Sequence, residues 1–238
     1  MCSSDLAPTT FLHEVDAGGA VSSFDPIAPP RAWLNFVNVH PDYATASADF
    51  YIQASSPAIS IPAGIVAGRM PVISGVHDVD VTEAGQPRSS AVASLTAQPF
   101  PEETNLEVIF WGDSTTSNVS VVPSLDPRNA PGGGALLQAF HASAGIGPVD
   151  VWFNGSLVVD DLGAGTTSSE VTVTLSASMI LGLDVTQDGV VDFNFDLAGL
   201  EDRGAYTVVG ATDGTGPYLL VIAAHQSTTP NWMVRPTP

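Results

Sequence analysis

Val149-Asp150-Val151-Trp152-Phe153-Asn154-Gly155-Ser156-Leu157-Val158-Val159 decides how the rest of the chain is read. Val149, Val151 and Phe153 alternate with Asp150 and Trp152, the two-residue period of a strand with one face on a core. Asn154-Gly155 supplies two residues that tolerate positive φ, as a type I′ turn demands, and apolar residues resume at once. The stretch therefore predicts a two-residue β-hairpin. Val171, Val173 and Leu175 alternate with Thr172 and Thr174 in the same way. Asp188-Gly189 reads as a second tight turn, joining Leu183-Asp184-Val185 to Val190-Val191-Asp192-Phe193.

Working outward, the stretch has a counterpart upstream. Leu136-Leu137-Gln138-Ala139-Phe140-His141 is followed nine residues later by Asp150-Val151-Trp152-Phe153. Leu34-Asn35-Phe36-Val37-Asn38-Val39-His40 is followed, again nine residues later, by Asp49-Phe50-Tyr51-Ile52. Asp80-Val81-Thr82-Glu83-Ala84-Gly85 matches Asp184-Val185-Thr186-Gln187-Asp188-Gly189, and Leu106 to Gly112 parallels Tyr206 to Gly210. Three motifs in the same order, at nearly the same offset, mark an internal duplication.

The chain divides accordingly. Residues 1–30 form a leader or linker rich in Ala, Pro, Gly and Ser, with one candidate edge strand at Thr10-Phe11-Leu12-His13-Glu14-Val15. The first copy spans 31–124, a Gly/Pro linker spans 125–134, the second copy spans 135–225, and a polar tail spans 226–238. A linker this short, between related copies, predicts a modest, partly apolar interface between them. Cys2-Ser3-Ser4-Asp5-Leu6 reads as the translated end of a sequencing adapter, so residues 1–6 are set aside and an export signal is expected to be missing. The alternative, a lipidated Cys2, lacks the apolar signal region that should precede it.

Composition narrows the function. The chain has 238 residues, 6 Arg and Lys together (all Arg), 25 acidic residues and a net charge of -19. That charge excludes nucleic acid and anionic lipid as natural partners. No stretch is long and apolar enough for a membrane-spanning helix. A single Cys rules out an intrachain disulfide.

The repeated residues resemble the bacterial and archaeal family called domain of unknown function 4397. Its members open with an apolar strand ending in His, followed by a loop, a Val-Asp-Val-Tyr-type strand and an Asn-Gly or Asp-Gly hairpin. Residues 136–159 fit this pattern well. The first copy keeps His40-Pro41 and Ala48-Asp49-Phe50-Tyr51 but has Gln53-Ala54-Ser55-Ser56-Pro57 in place of the hairpin dipeptide. The resemblance implies exported or cell-surface modules, often in tandem, and no catalytic residues. With six to eight short strands per copy, the fold class expected is all-β: two tandem immunoglobulin-like antiparallel β-sandwich domains.

Candidate chemistry is sparse. His40 and His141 occupy equivalent positions and are expected to be structural, packing at a strand end and bonding a loop carbonyl or the equivalent Asp49 and Asp150. Asp184, Thr186, Asp188 and Asp192, with Gly189 at the sixth position, follow the spacing of a calcium loop. Phe195 stands where the bidentate acid belongs, so calcium is a candidate and no other cofactor is expected. Phe110-Trp111-Gly112-Asp113-Ser114 resembles the nucleophile block of Gly-Asp-Ser esterases, yet no Asp lies three residues before His225 to complete the catalytic group. Trp33, Trp111, Trp152 and Trp232 could line a glycan platform, but core, inter-sheet or interdomain packing is the favoured account. The function expected is a non-catalytic secreted or cell-surface structural or adhesion module. The alternatives are a self-assembling matrix or filament subunit using strand exchange, and a carbohydrate-binding module. The partners expected are other copies, extracellular matrix or surface components, and glycans.

Overall fold

The computed structural model describes residues 29–43, 46–54, 56–224 and 231–237. Residues 1–28 of the leader, with Cys2 and the candidate strand at residues 10–15, lie outside the described residues.

The described chain is all-β. The first copy contains β1 (Arg31–Asn38), β2 (Ser47–Ile52), β3 (Ile59–Pro62), β4 (Ile65–Ile73), β5 (Gly75–Glu83), β6 (Ala93–Phe100), β7 (Asn105–Gly112) and β8 (Ser117–Pro123). The second contains β9 (Gly134–His141), β10 (Val149–Phe153), β11 (Ser156–Leu162), β12 (Val171–Thr174), β13 (Ile180–Asp184), β14 (Phe193–Asp196), β15 (Ala205–Asp213), β16 (Gly216–Ala223) and β17 (Trp232–Val234). The first copy builds sheets ordered β4-β1-β7-β8 and β3-β2-β5-β6; the second builds β12-β9-β15-β16-β17 and β11-β10-β13-β14. Strand for strand the two orders coincide, apart from β17.

The four sheets form four layers. Leu34, Phe36, Phe50, Val81, Val108 and Phe110 are among the side chains filling the space between the first two sheets. Leu137, Val151, Phe195, Tyr206 and Val208 do the same in the second sandwich. A third apolar layer joins the copies: Val37, Val39, Ile109, Trp111 and Val122 meet Phe140, Val209, Ala211, Tyr218, Leu220 and Ile222. The inner strands are thus buried on both faces, which is why Leu106 to Trp111 reads as a near-continuous apolar run rather than an alternating one. Leu106, Val108 and Phe110 enter the first core, while Glu107, Ile109 and Trp111 face the other way.

The Asn154-Gly155 hairpin is a two-residue turn: Phe153 pairs with Ser156, and both turn residues have positive φ, 48° and 78°. Three expectations are corrected. First, the sheets are not purely antiparallel, because β1 pairs with β7, and β9 with β15, in parallel. Alternation along a strand reports which face is buried and carries nothing about the direction of its neighbour. Second, Asp188-Gly189 is not a two-residue turn. Leu183 pairs with Phe193, so residues 185–192 form a wider loop. Its positive φ values fall at Gln187 (57°) and Gly189 (81°), not at two consecutive residues as type I′ requires. Third, the tail contributes β17, which pairs Leu219 with Val234 and Val221 with Trp232 on the edge of the second sandwich. The linker is fastened down. Leu125 and Ala130 pack against Leu136, Ala205 and Ala224, and the Gly133 amide donates to Asp202 Oδ1 at 2.6 Å.

Candidate functional site

The end of each sandwich where β1 or β9 stops is built from loops. The two ends lie side by side: an added Cβ at Gly145, in the β9–β10 loop, would stand 3.6 Å from Asp113 Oδ2 in the β7–β8 loop. At Gly165 it would stand 2.4 Å from the Trp111 ring. One composite face therefore carries the loops of both copies.

In the first copy, His40 continues β1 with its ring turned to the core side, stacked on Phe110 at 4.7 Å and edge-on to Tyr43 at 5.1 Å. Phe50 approaches Phe110 at 6.4 Å and completes an aromatic plug. Above it opens a polar depression of about 310 Å³, lined by Asp42, Glu83, Asp113, Thr115 and Ser117. The His40 Nδ1 takes a long hydrogen bond, 3.4 Å, from the Asp42 amide, which leaves the ring proton on Nε2. Nε2 lies 3.3 Å from the Thr116 carbonyl and 3.0 Å from Ser117 Oγ. A nucleophile–base pair needs the opposite arrangement, with Nε2 free to accept and a carboxylate behind Nδ1.

His141 repeats this geometry. The Ser143 amide faces its Nδ1 at 3.5 Å, and its Nε2 lies 3.0 Å from the Gly147 carbonyl. Burial pushes both imidazoles below their ordinary value, and the loop carbonyl of Thr116 or Gly147 offsets part of that shift. Asp49 and Asp150 do not reach the histidines. Asp49 Oδ2 accepts the Gly85 amide at 2.8 Å, and Asp150 Oδ1 accepts the Asp161 amide at 2.9 Å.

The Gly-Asp-Ser block is the turn between β7 and β8. Asp113 Oδ1 accepts the amides of Thr115 and Thr116, both at 2.8 Å, in an Asx arrangement that Asp213 repeats with Thr215 at the same place in the second copy. Gly112 has φ of 150°, and an added Cβ would stand 1.9 Å from the Thr116 carbonyl oxygen, so closure of the turn accounts for this glycine.

The calcium candidates sit in the 185–192 loop and its flanks. Asp184 is buried; its Oδ1 accepts from Gln187 at 2.6 Å and Thr186 at 3.2 Å, and its Oδ2 accepts from Gly189 at 2.8 Å. Burial raises its pKa, but these amide bonds outweigh burial and hold the carboxyl below its ordinary value. Asp192 Oδ2 takes the amides of Val185 and Thr186, at 2.8 and 3.2 Å, and Asp188 takes that of Val190 at 2.9 Å. Thr186 Oγ1 donates to both Asp184 and Asp192. Among the described residues the acidic group whose oxygens converge is a different one, Asp150, Asp160 and Asp161, with ligand atoms within 4.8 Å of one another. The charges of Asp150 and Asp161 push the Asp160 carboxyl up. The sequence signal for it was the acidic pair on β11 opposite Asp150.

The tryptophans do not assemble into a platform. Trp111 is buried between the copies, with its Nε1 donating to Ser120 Oγ at 2.9 Å. Trp232 on β17 packs edge-on to Tyr206 at 5.7 Å. Trp33 lies under the Arg69 guanidinium at 4.8 Å. Trp152 packs beside Gly182 on the outer sheet.

The second sandwich has a feature that no motif announced. Its loop end holds a cavity of about 100 Å³ between the sheets, walled by Ala139, Val151, Leu181, Phe193, Val208 and Leu219, with His141, Ser143 and Thr212 as polar members of the lining. At about 24 cal/mol per Å³, a dry cavity of this volume forfeits on the order of 2 kcal/mol of stability.

A family profile described as domain of unknown function (DUF4397) matches residues 32–151, from β1 through the first copy and into β10. The chain belongs to this family. No curated protein matches it. Membership in DUF4397 places the duplicated sandwich within a recognised family whose description assigns no chemistry, so any function must come from the geometry of the loop face. No helix among the described residues is long and apolar enough to cross a membrane.

Proposed function

We propose that this DUF4397 chain is a non-catalytic secreted or cell-surface module that works by adhesion or display. The observation carrying the reading is the composite loop face. Two sandwiches joined through an apolar layer set both copies' loops side by side, and scaffold-mounted loops are where recognition concentrates. The histidine arrangement supports the non-catalytic part: Ser117 sits at an imidazole whose Nε2 already carries the proton. The face is acidic through Asp42, Glu83 and Asp113, so cationic or neutral surfaces are its natural partners.

Self-assembly by strand exchange is the second reading, favoured by β17. This three-residue strand is delivered by the tail to an exposed sheet edge and anchored by Arg235 on Asp213. Such a strand suits donation to the next copy. Light scattering at several protein concentrations separates the two readings. A constant monomer mass is expected for a display module; growth into ordered species that deletion of residues 231–238 abolishes would replace it with the assembly reading.

A further inference from the structure

We propose that the inter-sheet cavity at the loop end of the second sandwich is a binding site for a small neutral apolar molecule, a single ring or short alkyl chain in size. The comparison between copies carries this. In the first parallel pair Asn38 faces Phe110, and in the second Ala139 faces Val208, so Phe110 and Val208 hold the same register position relative to His40 and His141. Phe50 and Val151 correspond likewise, each following the Asp nine residues after its histidine. In the first copy the two Phe rings and Tyr43 fill the space beneath His40. In the second, Val208 and Val151 line an open volume of about 100 Å³ in the same place. Two aromatic side chains have been replaced by shorter ones while the scaffold, strand order and histidine geometry are kept.

The lining sets the ligand's chemistry. It is apolar throughout its depth, and its hydroxyls, Ser143 Oγ and Thr212 Oγ1, lie 3.5 Å apart. No Arg, Asp or Glu lines it, so a charged ligand would be buried without a partner. Pockets of this make, apolar with a few polar groups, are the usual form of small-molecule sites. Apolar cavities of about 150 Å³ stay dry and accept benzene or xenon. The lining extends to Ser143 and Ile146 in the β9–β10 loop, Val185 in the 185–192 loop, and Thr212 and Pro217 beside the β15–β16 turn. The inference does not depend on the display reading.

The test uses benzene as probe with the full chain, its Leu and Val methyls observed by NMR, and melting temperature measured in parallel. Saturable shifts confined to the methyls that line the cavity, Val151, Leu181, Val208 and Leu219 among them, with a midpoint of roughly millimolar benzene, and a rise in melting temperature are expected. Val208→Phe restores the first copy's residue; it is expected to remove the benzene response and to melt higher than the parent. Val151→Phe gives the same reading should Val208→Phe fail to fold. Absence of a saturable response in the parent overturns the proposal, as does an equal response in a filled variant.

Discussion

Thr207 Oγ1 donates a 2.9 Å hydrogen bond to Glu107 Oε1 across the layer between the two sandwiches. Ser124 adds a second bond to the same oxygen at 3.2 Å, while Gln138 Nε2 bonds both Thr207 and the Pro123 carbonyl. Glu107 is 1% exposed, and its Oε2 has no partner among the described residues. Burial pushes its carboxyl up to about 8, against which the two hydroxyl bonds act only weakly. At neutral pH it is therefore mostly protonated, a neutral acid between two sandwiches.

That proton makes stability depend on pH. An unfolded Glu titrates near 4.5, so between there and about 8 the folded chain keeps a proton the unfolded chain has lost. The Glu107 contribution to stability falls as pH rises through this window and is level on either side of it. Glu107→Gln is expected to flatten the window and to raise stability at pH 8 by a few kcal/mol, on the order the shift implies. Urea unfolding at several pH values checks this; an unchanged slope would refute it.

The seat of Trp111 gives a second prediction. Gly165 has φ of 73°, and an added Cβ would stand 2.4 Å from the ring. Gly165→Ala is expected to cost about 1–3 kcal/mol and to expose Trp111, seen as a red-shifted fluorescence maximum. Because Gly165 and Trp111 belong to different copies, the two sandwiches should then melt in separate transitions.

The two histidines act in the opposite sense to Glu107. Their folded values lie below 6.5, so their contribution is complete above 6.5 and is lost as pH falls from there toward the lowered values. His141→Gln keeps a donor for the Gly147 carbonyl and removes the titration. A shallower acid limb is the expected outcome in pH-dependent thermal melts.

Asp184 organises its loop through the amides of Thr186, Gln187 and Gly189 and the Thr186 hydroxyl. Asp184→Asn puts a donor where the Gln187 or Gly189 amide points and is expected to cost about 1–3 kcal/mol. Calcium should leave the parent's melting temperature unchanged. A calcium-dependent rise that Asp184→Asn removes would mean that the loop holds a cation.

Local features were legible in the sequence because they are written locally. Asn154-Gly155 specifies its turn through the backbone freedom of two adjacent residues, and the alternation of Val149, Val151 and Phe153 specifies one buried face. The duplication was legible because the sheets reproduce it strand for strand. What sequence could not disclose depends on partners far along the chain. Asp188-Gly189 resembled a tight turn until the carboxylate of Asp184 drew the amides of Gln187 and Gly189 into a wider loop. The sequence favours core packing for Trp111 without disclosing its partners, which lie in the second copy. The cavity is a deficit of volume, visible only when Val208 is set beside Phe110.

The parallel pairing of β1 with β7 has a consequence for how the chain is made. Trp33 must wait for Asn105, and Leu136 for Ala205, before either inner sheet can close. Contacts so distant slow folding and leave one edge of the opening strand unpaired meanwhile, although its other edge can already pair with β4 or β12. During synthesis the first copy's β7 is complete before β9 exists, so order of emergence favours the correct partner. After chemical denaturation both copies compete at once, and β1 can be captured by β15. Refolding from denaturant should therefore give lower yields than synthesis, through crossed pairing between the copies.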